Sequence, residues 1–214
     1  VAAQDNTDKL WYDKPASIWL EALPIGNSHI GGMVYGGLTE EIQVNEETFW
    51  SGGPHNNNSS TSLAYLDEAR QLIYDDKCSD AENLINRQFV KGPHGMKYLT
   101  LGSVKVSPMG VSQASMTDYH RELDLQTAVS TVSFKAGGHA YTRTTFASMA
   151  DGVIVMRLES DVPMKFTVKH ECDLSTSYKK ANDGVAVTVK GVEHEGIASK
   201  LNAECAFVVK TCLL

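Results

Sequence analysis

The sequence predicts a mainly β fold, an antiparallel β-sandwich with one inserted helical hairpin. From residue 99 onward apolar residues recur with period two, the mark of strands that bury one face. Two pairs of these strands are separated by glycine-bearing tight-turn signals. One earlier interval, within residues 62–90, switches to helical spacing instead. With 214 residues, 42% of them hydrophobic, the chain can bury roughly 70% of the surface its unfolded form exposes.

All three tryptophans, Trp11, Trp19 and Trp50, lie in the first fifty residues, interleaved with Asn27, His29, Asn45, Glu46 and Glu47. Aromatic faces beside amides and carboxylates suit a sugar, whose C–H faces rest on rings while its hydroxyls take polar partners. Tryptophan is nonetheless mostly a core residue. Trp11 and Trp19 are expected in the core, whereas Trp50, beside Ser51-Gly52-Gly53-Pro54, is balanced between core and site. The run Gly26-Asn27-Ser28-His29-Ile30-Gly31-Gly32 lacks the Gly-Lys ending and βαβ context of a phosphate loop, so it reads as a tight β-turn with packed backbone. Ile42 and Val44 pin a strand face just ahead of Asn45-Glu46-Glu47-Thr48. Glu46 and Glu47 invite comparison with the carboxylate pair of a glycosidase, yet neighbours on a strand point to opposite faces. They are not expected to act together.

Leu63, Leu66, Ala69, Leu72 and Ile73 then recur at helical spacing, and Ser79-Asp80-Ala81-Glu82 has the form of a capping box opening a second helix. Ala81, Leu84, Ile85 and Phe89 continue it to Gly92-Pro93. Helices are therefore expected near 62–76 and 79–90, packed beside the sandwich. Residues 129–135 and 140–146 flank Ala136-Gly137-Gly138-His139, a hairpin signature. Residues 152–158 are apolar on both faces and are expected to form a central strand. Met164, Phe166, Val168 and His170 share one face, opposite Lys165, Thr167, Lys169 and Glu171. Val185, Val187 and Val189 follow the turn signal Asn182-Asp183-Gly184, and Ala203, Cys205, Phe207 and Val209 alternate into Thr211-Cys212-Leu213-Leu214, where the sequence looks cut off.

The net charge of −7 and the absence of a Lys/Arg cluster argue against nucleic acid, which needs a concentrated basic surface. No apolar stretch approaches the roughly 18 residues of a membrane-spanning helix. Cys78, Cys172, Cys205 and Cys212 show no Cys-x-x-Cys spacing, so free thiols are expected and no metal or other cofactor is implied. His170-Glu171-Cys172-Asp173 and His194-Glu195 resemble metal ligands only in composition, and His170 is expected as a hydrogen-bonded core or interface histidine. No Gly-x-Ser-x-Gly nucleophile turn is present. Val1-Ala2-Ala3 before Gln4 has the small residues of a signal-peptidase stub, which makes a periplasmic or secreted location the expectation. Residues 1–9 then form a flexible tail and 10–214 the β domain.

Leu10 to Ser17, Trp19 to Asn27 and the string Gln43-Val44-Asn45-Glu46-Glu47-Thr48-Phe49-Trp50-Ser51-Gly52-Gly53-Pro54 resemble the start of glycoside hydrolase family 95, the α-L-fucosidase and α-L-galactosidase family. Arg121-Glu122-Leu123-Asp124-Leu125 and Tyr141-Thr142-Arg143 with Phe146-Ala147-Ser148 look like the same domain further on. Asn27-Ser28-His29 and Thr100-Leu101-Gly102-Ser103 depart from the family's usual Gly-Asn-Gly-basic and Pro-Leu-Gly-Asp stretches. The resemblance implies an N-terminal β-super-sandwich followed by a linker and an (α/α)6 barrel that holds the acid and base of an inverting hydrolysis. No catalytic residue is carried onto this chain. The expected role is non-catalytic, with Asn45, Glu46, Thr48 and Trp50 helping to bind a fucosylated or related oligosaccharide against the chain's own C-terminal barrel. The other reading of the residues is a free-standing, lectin-like carbohydrate-binding sandwich.

Overall fold

Gly137 and Gly138 join β7 (Val129–Ala136) to β8 (His139–Ser148), both with positive φ, 60° and 85°. Two successive residues in that region make the turn whose twist matches the flanking strands, and a Cβ disfavours it. The register runs from Ala136 opposite His139 to Ser130 opposite Thr145. The computed structural model containing this hairpin describes residues 8–51, 56–90, 96–181, 184–191 and 204–210, the last of these by backbone alone. The Val1–Gln4 stub, the Gly52-Gly53-Pro54 and Gly92-Pro93 signals, the Asn182-Asp183 turn pair, His194-Glu195, the side-chain alternation around Cys205 and the terminal strand end lie outside the described residues.

The hairpin sits inside a five-stranded antiparallel sheet ordered β1 (Lys9–Tyr12), β6 (Met116–Asp124), β7, β8, β9 (Val153–Ser160). A second five-stranded sheet is ordered β10 (Phe166–Glu171), β5 (Ser103–Pro108), β4 (Glu40–Glu46), β3 (Ile30–Val34), β2 (Leu23–Gly26). They pack as a sandwich. Leu23, Ile25, Val34, Ile42 and Val44 are buried from one sheet, and Leu123, Val132, Phe134 and Tyr141 from the other. Ile154 of β9 reaches across to β3, where its Cδ1 would lie 3.3 Å from a Cβ placed on Gly32. A third sheet is ordered β11 (Ser175–Ala181), β12 (Gly184–Lys190), β13 (Glu204–Lys210), with Val187 and Val189 fully buried.

Contacts divide the chain into two compact units: Val1–Phe49, Thr100–Val189 and Cys205–Leu214 form the first, and Trp50–Leu99 with Lys190–Glu204 the second. The second holds the helical hairpin, a 3-10 turn (Ser62–Tyr65) leading into α1 (Leu66–Tyr74), then α2 (Cys78–Gln88). Of the predicted stripes Ala69, Ala81 and Leu84 are buried, while Leu63 and Ile73 are exposed. The capping box does not form. Helix α2 begins at Cys78, one residue ahead of Ser79, and the carbonyl of Lys77 accepts from the amides of Asp80 (3.1 Å) and Ala81 (3.0 Å) without any side-chain cap. Ser79 therefore sits inside the first turn, where its hydroxyl cannot serve as the N-cap acceptor.

Two further expectations are corrected. The strand expected to be central, β9, lies at the margin of its sheet and pairs with β8 alone among the described residues. Its hairpin connection to β8 adds it at the edge, so one face meets the opposite sheet at Ile154 while Val153 is exposed. Trp11 and Trp19 are exposed rather than buried. In β1 the inward positions, opposite Leu123 and Arg121, belong to Leu10 and Tyr12, which leaves Trp11 on the outer face stacked on His120.

The sandwich interior instead takes charged residues. Glu40, Arg121 and Arg143 are buried. Arg143 Nε lies 3.1 Å from Glu40 Oε2, and its guanidinium donates to the carbonyls of Gly37 and Leu38. Glu40 Oε1 accepts from the Gly36 amide at 2.7 Å, and the Tyr119 hydroxyl donates to the Gly36 carbonyl at 2.7 Å. Burial pushes the Glu40 carboxyl up, with Arg143 pulling the other way, and burial likewise raises the Tyr119 phenol. Gly36 has φ 77°, and a Cβ there would meet Tyr119 Oη at 2.6 Å. The 36–40 turn is thus closed by buried charges that must stay paired.

Candidate functional site

At one end of the second sheet, a buried amide shapes the turn between β2 and β3. Asn27 Oδ1 accepts from the amides of His29 (3.2 Å) and Ile30 (2.9 Å), and its Nδ2 donates to the Ser148 carbonyl at 2.7 Å. Ser28, between Asn27 and His29, takes φ 70°. The packed turn read from the glycine-rich run is present. His29 reaches the end of β4: its carbonyl accepts from the Glu47 amide at 3.0 Å, and its Nδ1 lies 2.5 Å from Glu47 Oε1.

Asn45 and Glu46 close β4 opposite Gly31 and Ile30. Beyond them the chain turns on Glu46, whose Oε2 accepts from both the amide (2.9 Å) and the hydroxyl (2.7 Å) of Thr48. The Phe49 amide donates to the Glu46 carbonyl at 3.2 Å, and the buried Phe49 ring anchors the turn from beneath. Strand pairing stops at Glu46, so Glu47 belongs to the turn, and the two carboxylates take different partners, Thr48 and His29. Glu46, held through Oε2, keeps Oε1 for another donor. The arrangement can accept a hydroxyl hydrogen bond at Glu46, while the imidazole of His29 is paired with Glu47.

Trp50 belongs to the second unit. Its ring lies 4.9 Å from that of Tyr98 with the planes tilted 47°, and both rings are partly open to solvent, 41% and 44% exposed. Beneath the pair, the Ser51 amide donates to the Lys97 carbonyl and the Ser51 hydroxyl accepts from the Lys97 amide, each at 2.8 Å. The structure therefore brings Glu46 and Thr48 together, places Asn45 one residue before them, and assigns Trp50 to the other unit. Sequence reasoning missed Tyr98, which pairs with a residue 48 positions earlier and carries no local pattern. It also missed the His29–Glu47 pair, although both residues stood in the polar interleaving around the tryptophans.

Among the described residues, a partly open pocket of about 20 Å³ in the sandwich is lined by Val106, Phe134, Tyr141, Met164 and Phe166 among others, room for about one water molecule. An open depression of about 570 Å³ runs along α1 and α2, lined by Glu68, Asp80, Asn83 and Arg87 with Leu72 and Leu84. None of Asn45, Glu46, Thr48 and Trp50 lines it. No group of three or more potential metal ligands occurs among the described residues, Cys78 and Cys172 are free thiols, and His170 bonds the Leu101 carbonyl through Nε2 at 2.6 Å. No described helix is long and apolar enough to cross a membrane.

The family model described as glycosyl hydrolase family 65, N-terminal domain, matches residues 10–212. The chain belongs to this family. The glycosyl hydrolase N-terminal domain is 33% identical to "Alpha-L-fucosidase 2" of Arabidopsis thaliana over 184 residues, 81% of the chain and 21% of that protein. It is 27% identical over 213 residues to "Probable alpha-fucosidase A" of Aspergillus niger, covering 94% of the chain and 26% of that protein. The namesake in Aspergillus oryzae is 26% identical over 205 residues, 89% of the chain and 27% of its own length. The chain spans about a quarter of the length of these curated relatives. Both the model and the resemblance carried by residues 10–54 point to a glycoside hydrolase N-terminal domain, though the family number differs from the 95 that the resemblance implied.

Proposed function

We propose that this chain is the non-catalytic N-terminal domain of a secreted, inverting exo-glycosidase of the family 95 α-L-fucosidase type. In that role the turn at the end of β4 helps complete a sugar site held mainly by a separate barrel domain. The observation that carries the reading is that three α-fucosidase relatives, each about four times longer, match across four fifths or more of this chain. The local geometry supports binding rather than proton transfer. Glu46 is engaged by Thr48 and Glu47 by His29, so each carboxylate already serves the turn. Asn45, Glu46, Thr48 and Trp50 are the residues proposed to touch the oligosaccharide. Export is part of this proposal, and finding the full-length protein in the cytoplasmic fraction would remove it.

In the full-length enzyme, Glu46→Gln, Thr48→Val and Trp50→Phe should each lower kcat/KM for an aryl α-L-fucoside by about tenfold or more, equal to about 1.4 kcal/mol of transition-state stabilisation, with little change in Tm. Lost stability with unaltered kinetics would make the turn structural. The 214-residue chain alone should show no hydrolysis above a mock-purified control, because a missing acid or base typically removes about 10²–10⁴ in rate. A second reading, glycan binding by the chain itself, draws support from the solvent-facing Trp50–Tyr98 pair. Calorimetric titration of the chain with fucosylated oligosaccharides separates it from the first.

A further inference from the structure

Three consecutive large apolar side chains, Ile18, Trp19 and Leu20, stand 54%, 53% and 80% exposed on the sandwich unit, at the start of the 3-10 turn Trp19–Glu21. Their backbone is held on both sides. The buried Arg121 guanidinium donates to the carbonyls of Lys14 (2.8 Å) and Glu21 (2.7 Å) while lying 4.1 Å over the Tyr12 ring. The Glu21 carboxylate accepts from the amide (2.8 Å) and hydroxyl (2.9 Å) of Ser17. The Ala16 amide donates to the Tyr35 carbonyl at 2.9 Å, and Ala22 is buried. The backbone that carries the three side chains is therefore fixed by bonds to a buried cation on either side.

Contiguous exposed apolar surface of this kind marks an interaction site, tryptophan is enriched where binding energy concentrates, and a segment ordered before docking loses less entropy when it docks. We propose that Ile18, Trp19 and Leu20 form a preformed knuckle that docks into an apolar pocket of the remaining polypeptide of the longer enzyme. This rests on the reading of the chain as one domain of such an enzyme. The occupant follows from size. Three side chains expose on the order of a few hundred Å², short of the ~1,200 Å² that a stable complex between separate chains buries. A partner on the same polypeptide needs far less, because the covalent link supplies a high effective concentration. The curated relatives, of which this chain covers only 21–27%, are long enough to supply such a partner on the same polypeptide.

Hydroxyl-radical footprinting of the 214-residue chain and of the full-length protein tests the proposal. Oxidation of Trp19 and Leu20 should fall about fivefold or more in the full-length protein, as for side chains entering an interface core, independent of protein concentration. Trp19→Ser with Leu20→Ser should leave the Tm of the isolated chain unchanged and lower that of the full-length protein. Equal oxidation in both proteins overturns the knuckle. So does protection of the isolated chain that grows with concentration, which would indicate a second copy, or protection that appears only with added oligosaccharide. A natural product ending at Leu214 overturns the knuckle together with the proposed function. Protection at Trp19 with fully active Glu46 and Thr48 variants would leave the knuckle standing and remove the site-completing role; equal oxidation with inactive variants would do the reverse.

Discussion

Leu23, Val34, Val132 and Phe134 are buried in the sandwich, in company with Glu40, Arg121 and Arg143, whereas the helical unit buries Ala69, Ala81, Leu84 and Leu99 and leaves Leu63, Ile73 and Tyr74 in solvent. A sheet offers a continuous face, so two sheets can enclose even charged groups once each finds a partner. Two short helices offer narrow stripes, and helices of 9 and 11 residues are marginal without tertiary packing. The sandwich is therefore expected to set the stability of the chain. The helical unit is expected to open first.

The largest effect should come from Arg143→Met, which leaves Glu40 buried without its cation. Removing one partner of a buried ion pair costs about 3–5 kcal/mol, read as a lower denaturation midpoint in urea, and an unchanged midpoint would show that the sandwich does not depend on the pair. Leu84→Ala should cost about 2 kcal/mol by emptying a buried site. In hydrogen exchange its effect should be confined to the amides of α1 and α2, so equal loss of protection in β7 and β8 would break the distinction between the units.

Acid should act on the sandwich through Glu122. Its carboxyl is held below the usual 4.5 by the Lys9 ammonium, at 2.8 Å, and by His120. A carboxylate with a lowered native pKa adds stability that is present above its unfolded value and is lost as pH falls through the native one. Glu122→Gln should reduce the loss of unfolding free energy below about pH 4.5 by up to about 1 kcal/mol, since the pair is partly exposed, read from urea midpoints across pH. A variant that loses stability as steeply as the parent would assign the acid response elsewhere. The smallest effect belongs to Ile73→Ser on the exposed face of α1, expected within about 0.5 kcal/mol. A larger loss would mean that this face is covered in solution.

The hairpin at Gly137-Gly138, the alternation in β10 and β12, the packed Asn27 turn and the existence of a helical interval were determined by the sequence alone, because each depends on residues a few positions apart. Tertiary structure decided the rest. Whether β9 is central or marginal depends on which strand pairs beyond it, and whether Trp11 is buried depends on the register in which β1 pairs with β6 some 110 residues later. Arg143 and Glu40 look like surface charges until the 36–40 turn brings them together with the carbonyls of Gly37 and Leu38, and Arg121 looks like one until the carbonyls of Lys14 and Glu21 meet it. Around the candidate site, the Glu46–Thr48 bond spans two residues and so lies within reach of a local pattern, while the Trp50–Tyr98 contact needs a partner from beyond both helices in the sequence. Burial and pairing belong to surfaces that the chain assembles from distant segments, and no local pattern records which segments those are.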